Sequence, residues 1–277
     1  MASPVILCGS VSRLAGPLGR SLHEAGYRAL GLAFAYVPFE VTDLAGAITG
    51  MRALGIRGLG VSQPYKQQVM GLLDSIEPLA RRIGAVNTVV QTERVLVGHN
   101  TDWIGATRAL EEVRPLRGAR VLLVGAGGAA RAIAFGLLDR GARTTIANRD
   151  RAKAVALASE TGAIGAGLDE TARAADYDVV VNATPVGQRD EAARTEPGSP
   201  VPDEALRAGQ VVMDIVYKPV RTRLLEAARS RGATAIHGGR MLLHQAAAQF
   251  ELYTGRPAPL EAMAAALHAA IGESPSP

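Results

Sequence analysis

Residues 121–131 read Val-Leu-Leu-Val-Gly-Ala-Gly-Gly-Ala-Ala-Arg, an apolar run that passes without a spacer into a glycine-rich hexapeptide. Val121 to Val124 is expected to be a buried strand, and Gly125 to Ala130 fits the pattern G-x-G-x-x-A. Glycines there let the backbone turn tightly and approach a pyrophosphate, whose charge is received by the amides of the next helix, expected over Arg131 to Arg140. In a chain with 31 glycines the hexapeptide alone carries little weight. Its place between a strand and a helix is what makes Gly125, Ala126, Gly127, Gly128 and Ala129 an expected dinucleotide cradle.

The end of the next strand, Thr144 to Ala147, bears on which dinucleotide. An acid about 20 positions past the first glycine would hold a ribose 2′-hydroxyl, whereas an arginine accommodates a 2′-phosphate. Asn148 and Arg149 stand there, with Lys153 following, so NADP is expected over NAD. Asp150 opposes this if it points inward, and Arg149 and Lys153 could instead be solvated helix charges.

Outward from this unit, short strands alternate with helices on both sides. Val5 to Cys8, Ala33 to Val37 and Gly58 to Ser62 read as strands, and Leu18 to Ala29, Leu44 to Leu54 and Pro78 to Ile83 as helices. Val86 to Gln91 and Val95 to Gly98 read as a hairpin joined by Thr92-Glu93-Arg94, and Trp103 to Glu112 as a helix. Downstream, Val179 to Asn182 and Val211 to Ile215 are expected strands, Ala152 to Thr161, Met241 to Leu252 and Leu260 to Ile271 expected helices, and the tail Gly272 to Pro277 is expected to be disordered. The pattern predicts an α/β chain of two domains, an N-terminal α/β substrate domain plus a Rossmann-type doubly wound NADP-binding domain. The expected boundaries are 1–103 for the substrate-binding and catalytic domain and 104–241 for the dinucleotide-binding domain. Residues 242–277 are then C-terminal helices packing back on the N-terminal domain, and Arg114 to Gly118 is a plausible hinge.

Composition narrows the class. With 277 residues, 48% hydrophobic, and one cysteine, Cys8, the chain is neither disordered nor a disulfide scaffold, and a reducing, cytoplasmic setting is expected. No apolar run approaches the roughly 20 residues of a membrane span, and Met1 to Ser10 lacks the features of a secretory signal. Thirty Lys and Arg against 26 Asp and Glu give +4, but the basic residues are scattered and aromatics are 4%. Nucleic acid is therefore not the expected partner, whereas an anionic small molecule or a phosphate-bearing cofactor suits the surplus. A monomer or homodimer is expected.

A nicotinamide cofactor needs a proton carrier, because a hydride moved to or from an alcohol carbon is accompanied by a hydroxyl proton. Two residues follow strand-like runs on polar segments: Lys66, in Gly60-Val61-Ser62-Gln63-Pro64-Tyr65-Lys66, and Asp102, in Asn100-Thr101-Asp102. A lysine paired with a carboxylate can pass a proton while the carboxylate orients it. By composition alone either could be a surface charge. The five histidines form no visible cluster, and no metal site is expected.

Taken in order, these motifs resemble the shikimate dehydrogenase family along nearly the whole chain. Gly60 to Lys66 is similar to its N-V-T-x-P-x-K loop, Ile83 to Thr88 to I-G-A-V-N-T, and Gly98 to Gly105 to G-x-N-T-D-x-x-G. Gly125 to Arg131 resembles G-A-G-G-A-x-R, Asn148-Arg149 its N-R phosphate site, and Asn182 to Gly187 N-A-T-P-x-G. Asp214 to Leu225 resembles D-x-x-Y-x-P-x-x-T-x-L-L, and Gly238 to Gln245 G-x-x-M-L-x-x-Q. The resemblance implies reversible reduction of a 3-dehydroshikimate-like ketone by NADPH, a step of the chorismate pathway, with Lys66 carrying the proton and Asp102 its partner. It implies substrate contacts at Ser62, Asn87, Asp102, Tyr217 and Gln245. It also implies a cofactor lying across Gly125 to Ala129, Asn148, Arg149, Lys153, Thr184, Ile215 and Gly238.

The chain departs from the family where the substrate carboxylate is held. In place of H-S-x-S-P it has Gly9-Ser10-Val11-Ser12-Arg13-Leu14-Ala15-Gly16-Pro17. Aligned from Gly9, the two serine positions fall on Leu14 and Gly16; alternatively Ser10 and Ser12 take the role, with Arg13 assisting, and this second reading is favoured. Gly60, Ser62 and Asp150 also replace the usual Asn, Thr and Thr. The alternatives kept open are a dehydrogenase of another cyclic hydroxy acid, such as quinate or aminoshikimate, and a non-catalytic nucleotide-binding sensor.

Overall fold

The computed structural model describes residues 4–188 and 198–272, so the tail beyond Gly272 lies outside the described residues. The chain divides into two compact units, Met1–Thr101 with Gln245–Pro277, and Asp102–His244.

The first unit begins β1 (Ile6–Ser12), α1 (Leu18–Ala29), β2 (Phe34–Glu40), α2 (Leu44–Leu54) and β3 (Gly58–Val61). After a 3-10 turn at Gln68–Leu72 it continues β4 (Ser75–Ile76), α3 (Pro78–Ile83), β5 (Thr88–Thr92) and β6 (Val95–His99). The helix limits follow local chemistry. Asp43 accepts from the Gly46 amide at 2.9 Å to open α2, and Gly55, at φ 66°, closes it. The strands form one sheet in the order β2-β1-β3-β5-β6-β4, antiparallel only at β3–β5 and β5–β6. β1 extends four residues past the expected Cys8 because it is hydrogen-bonded on both flanks, Ser12 opposite Glu40 and Val11 opposite Val61. Ser10 and Ser12 are consequently strand residues. β5 likewise runs on to Thr92, paired with Val95, which leaves Glu93 and Arg94 as a two-residue turn with φ of 50° and 69°.

The second unit runs α4 (Asp102–Glu111), β7 (Arg120–Val124), α5 (Gly128–Asp139), β8 (Arg143–Asn148), α6 (Arg151–Thr161) and β9 (Ile164–Gly167). It continues β10 (Val179–Asn182), β11 (Val211–Asp214), α7 (Arg223–Ser230), β12 (Thr234–Ile236) and α8 (Gly238–Thr254). Its sheet is parallel throughout, in the order β12-β11-β10-β7-β8-β9. Read from β9, and numbered from β7, this is the doubly wound order 3-2-1-4-5-6. The central strands are fully buried, with Leu123, Val181 and Met213 facing Ile133 and Leu137 of α5 in one core and Leu122, Val180 and Val212 facing Leu224 and Leu225 of α7 in the other. β9, α7 and β12 have no counterpart in the sequence reading. β9 is Ile-Gly-Ala-Gly and β12 has 3 residues, too short for a period to register. α5 begins at Gly128 instead of Arg131, so the last part of the glycine motif lies in its first turn.

α8 passes from the second unit into the first, where its end and α9 (Leu260–Ile271) pack on α1. The Tyr27 ring lies 5.3 Å from that of Phe250, and His23 stacks on Tyr36 at 4.4 Å and 7°. His23 is completely buried, which drives its pKa down to about 4 from an ordinary 6.5, against a hydrogen bond with Gln249 that raises it. Between those values the unfolded chain binds more protons than the folded one, so this histidine's contribution is present above 6.5 and is lost as pH falls toward 4. His23→Phe retains the stack without the titration. In denaturant titrations at pH 7 and pH 4, the variant is expected to gain on the wild type by up to ~3 kcal/mol.

Candidate active site

In the second unit the strand ends at Val124, Ala147, Asn182 and Asp214 lie level in the register, so the loops after β7, β8, β10 and β11 open on one edge of the sheet. Gly125 has φ 120°, and a side chain there would meet the Ala183 carbonyl oxygen at 2.9 Å. Gly238 is as confined, since a Cβ would stand 2.2 Å from the Ile215 carbonyl oxygen. Gly127 and Gly128 differ: a Cβ at either meets nothing within 4 Å. They border a cavity of about 390 Å³ with Ala129, Thr184, Ile215 and Tyr217 on its walls. α5 starts at this cavity with Gly127 as N-cap and no side chain capping its first amides. Open space over two glycines, before uncapped helical N–H groups, fits a pyrophosphate.

The walls are tied together from beneath. Asn182 accepts from the Thr184 amide and hydroxyl at 3.0 and 2.7 Å, and donates to Asp214 at 2.9 Å. Asp214, with no exposed surface, also accepts from the Val216 amide at 3.1 Å and the Thr222 hydroxyl at 2.7 Å. Burial raises its pKa, partly offset by Thr222, Val216 and Asn182. Asp214 was legible only as a motif letter, and its function as the joint between the β10 and β11 loops was not.

After β8, Asp150 is the N-cap of α6: its carboxylate accepts from the Ala152 and Lys153 amides at 3.1 and 3.4 Å. That is where its charge is spent. Asn148 donates to the Asp150 carbonyl at 3.0 Å, steadying the turn, and Lys153 Nζ lies 3.9 Å from Asp150 Oδ2. The Arg149 guanidinium is exposed and has no ion pair among the described residues.

In the first unit the Ser62 amide bonds the Val11 carbonyl at 3.0 Å and the Val86 amide bonds the Lys66 carbonyl at 2.8 Å. Between them Tyr65 is buried, with its hydroxyl donating to the Val41 carbonyl, so half-buried Lys66 ends a braced loop. Asn87 is buried, and its Oδ1 accepts from the Thr101 amide at 2.7 Å and the Thr88 hydroxyl at 2.8 Å. Ser10 is opposite Gly60 across β1 and β3, and Gly60 opposite Thr88 across β3 and β5, so one row brings Ser10 beside Asn87's neighbour. Ser12 donates its proton to the Leu14 carbonyl at 2.9 Å, while Leu14 is 84% exposed. Asp102 is the first residue of α4, a favourable end for an acid, and Gln245 is half-buried on α8. Among the described residues no group of three or more His, Cys, Asp or Glu could hold a metal ion, and no helix is long and apolar enough to cross a membrane.

Three family models match: the shikimate dehydrogenase substrate binding domain over residues 16–89, shikimate/quinate 5-dehydrogenase over 107–192, and the shikimate 5′-dehydrogenase C-terminal domain over 238–268. A shikimate dehydrogenase (NADP(+)) of Haloarcula marismortui is 46% identical over 258 residues, covering 90% of this chain and 95% of that one. The chain belongs to the shikimate dehydrogenase family.

Among solved members, shikimate 5-dehydrogenase from Thermus thermophilus, in complex with NADP(H) and shikimate, has a TM-score of 0.86 and 35% identity, over 96% of this chain and 99% of that one. The ligand-free 5-ketofructose reductase of a Gluconobacter strain has a TM-score of 0.88 and 35% identity, over 97% and 100%. The shikimate dehydrogenase fold thus holds enzymes named for different substrates.

Proposed function

We propose that this chain is an NADP-dependent oxidoreductase that interconverts 3-dehydroshikimate and shikimate, with Lys66 and Asp102 handling the proton. The observation that carries the reading is the cavity over Gly127 and Gly128, whose wall also includes Tyr217, a residue matching a family substrate contact. NADPH, when bound, supplies the hydride. Lys66 Nζ holds the proton that the ketone oxygen needs as it becomes a hydroxyl, and Asp102 keeps that ammonium oriented. Asn87, Ser62, Tyr217 and Gln245 bind ring oxygens, and Ser10 and Ser12 hold the carboxylate once Ser12 releases Leu14. Asn148, Arg149 and Lys153 hold the adenosine 2′-phosphate, while Gly125 to Ala129, Thr184, Ile215 and Gly238 line the rest of the cofactor path. A cytoplasmic enzyme acting on a small molecule agrees with the single buried thiol of Cys8.

A second reading has one observation in its favour. The Ser12 hydroxyl proton is committed to Leu14, which weakens the carboxylate anchor and favours a polyhydroxylated substrate that lacks a carboxylate, of the ketosugar kind. Assaying shikimate, quinate, aminoshikimate and fructose-derived ketones with NADP and NAD decides. Highest kcat/KM for shikimate with NADP supports the first reading, and any other optimum replaces it. Arg149→Ala, by removing a charge-assisted phosphate contact, is expected to raise KM for NADP about 10- to 100-fold and leave KM for NAD unchanged.

A further inference from the structure

Gln249 of α8 lies inside the first unit, 6% exposed and outside every family motif quoted above. Its Nε2 donates to the Thr88 hydroxyl at 3.0 Å and to the Asn87 carbonyl at 3.3 Å. Thr88 in turn donates to Asn87 Oδ1 at 2.8 Å, where the Thr101 amide also arrives at 2.7 Å. Because the Gln249 NH₂ only donates, it leaves the Thr88 proton to Asn87 Oδ1 at 2.8 Å or Thr101 Oγ1 at 3.2 Å, and the shorter contact is the one to Asn87.

The orientation of Gln249 is itself determined. Its Oε1 faces His23 Nε2 at 3.4 Å, and His23, stacked on Tyr36 at 4.4 Å, is held in place by a second ring, Tyr253 at 5.5 Å. Buried histidine is neutral here, so it carries one ring proton; Nδ1 has no partner, and the proton is therefore placed on Nε2, toward Gln249. The amide oxygen must accept it, which turns the Gln249 NH₂ toward Thr88 and Asn87.

We propose that Gln249 is a positioning residue for substrate recognition: through Thr88, and together with the Thr101 amide, it keeps Asn87 Oδ1 engaged inside the fold, so that the Asn87 carboxamide, whose Nδ2 also donates to Thr101 Oγ1 at 3.1 Å, addresses the ligand as a donor. The group it selects is an acceptor oxygen of the substrate. The inference rests on Asn87 being a substrate contact, as the proposed function has it, and it deepens that reading by naming what orients the contact.

The test pairs two variants in the full-length enzyme. Gln249→Met keeps the volume and removes the amide, and Thr88→Val removes the hydroxyl that links it to Asn87. Each is expected to raise KM for shikimate about tenfold while kcat and KM for NADP stay within about twofold. Thr88→Ser restores the hydroxyl and the wild-type KM, and the double variant is no worse than the worse single one, because both cut the same chain. A KM for shikimate within about twofold of wild type in Gln249→Met overturns the proposal, as does an equal rise in both KM values. If Gln249→Met does not fold, Thr88→Val decides by the same criterion. If the wild type does not turn over shikimate, the functional reading fails instead. Gln249 is then judged by the ¹⁵N side-chain resonance of Asn87, where a shifted or broadened signal in Gln249→Met supports its positioning role and an unchanged one refutes it.

Discussion

Lys66→Ala is expected to lower kcat for shikimate oxidation with NADP by about 10²- to 10⁴-fold, with KM for shikimate changed by less than about threefold. The loop around Lys66 is braced by main-chain bonds and by Tyr65. The Val86 amide holds the Lys66 carbonyl at 2.8 Å and the Tyr65 amide holds the Ser62 carbonyl at 2.9 Å. Truncation at Cβ thus removes the amine that takes the hydroxyl proton and leaves those main-chain bonds in place. Without it the hydroxyl proton must leave to water while the hydride moves, which is the step general base catalysis relieves. Lys66→Arg separates proton transfer from simple charge. Arginine keeps the positive charge but does not give up a proton in the working pH range, so it should be nearly as slow as alanine. Recovery of most of the rate by arginine would make Lys66 an electrostatic anchor, and turnover within about tenfold of wild type in Lys66→Ala would remove it from the chemistry.

How far such residues could be read from the sequence depends on the range of the forces that place them. The strand-glycine-helix stretch at 121–131 was legible because its constraints are local: an apolar strand, a backbone at φ 120° at Gly125, a helix immediately after. The same holds for α2, whose limits at Leu44 and Leu54 follow from Asp43 and Gly55 as caps. Strands β9 and β12 were not, since four and three residues carry no period and become strands only through β8 and β11 beside them. β1 was cut short for the same reason, its last four residues being recruited by β2 and β3.

The candidate site divides the same way. Asn87 could be named from a motif, but its side chain is held by Thr101, 14 residues on, and its carbonyl by Gln249, 162 residues from Asn87, and no spacing rule joins them. Asp150 was readable as a charge near a phosphate site, with its direction open. The backbone resolves that, because an aspartate at φ −89° and ψ 95° before a helix turns its carboxylate onto the amides of that helix.

Asp214 shows what such a hidden joint should be worth. Asp214→Ala leaves the Thr222 hydroxyl, the Asn182 amide and the Val216 N–H without their acceptor in a fully buried place. Each orphaned donor costs about 1–3 kcal/mol, so a loss of about 3 kcal/mol or more in unfolding free energy is expected. The Ile215 to Tyr217 segment should loosen with it and raise KM for NADP. Asp214→Asn keeps the shape, and its Oδ1 still accepts from Asn182 and Val216, while the new NH₂ turns the Thr222 hydroxyl from donor into acceptor. Stability should then differ from wild type in a pH-dependent way whose sign is determined. Because burial raises the Asp214 pKa above the ordinary 3.8, the unfolded chain loses this proton first as pH increases. The wild type's contribution is full below 3.8 and is lost as pH rises through the folded value. In denaturant titrations from pH 4 to 7, Asp214→Asn should gain steadily on the wild type and then run parallel to it. A constant gap over that range would mean that the hydrogen bonds from Thr222, Asn182 and Val216 outweigh burial and hold the carboxylate at its ordinary value.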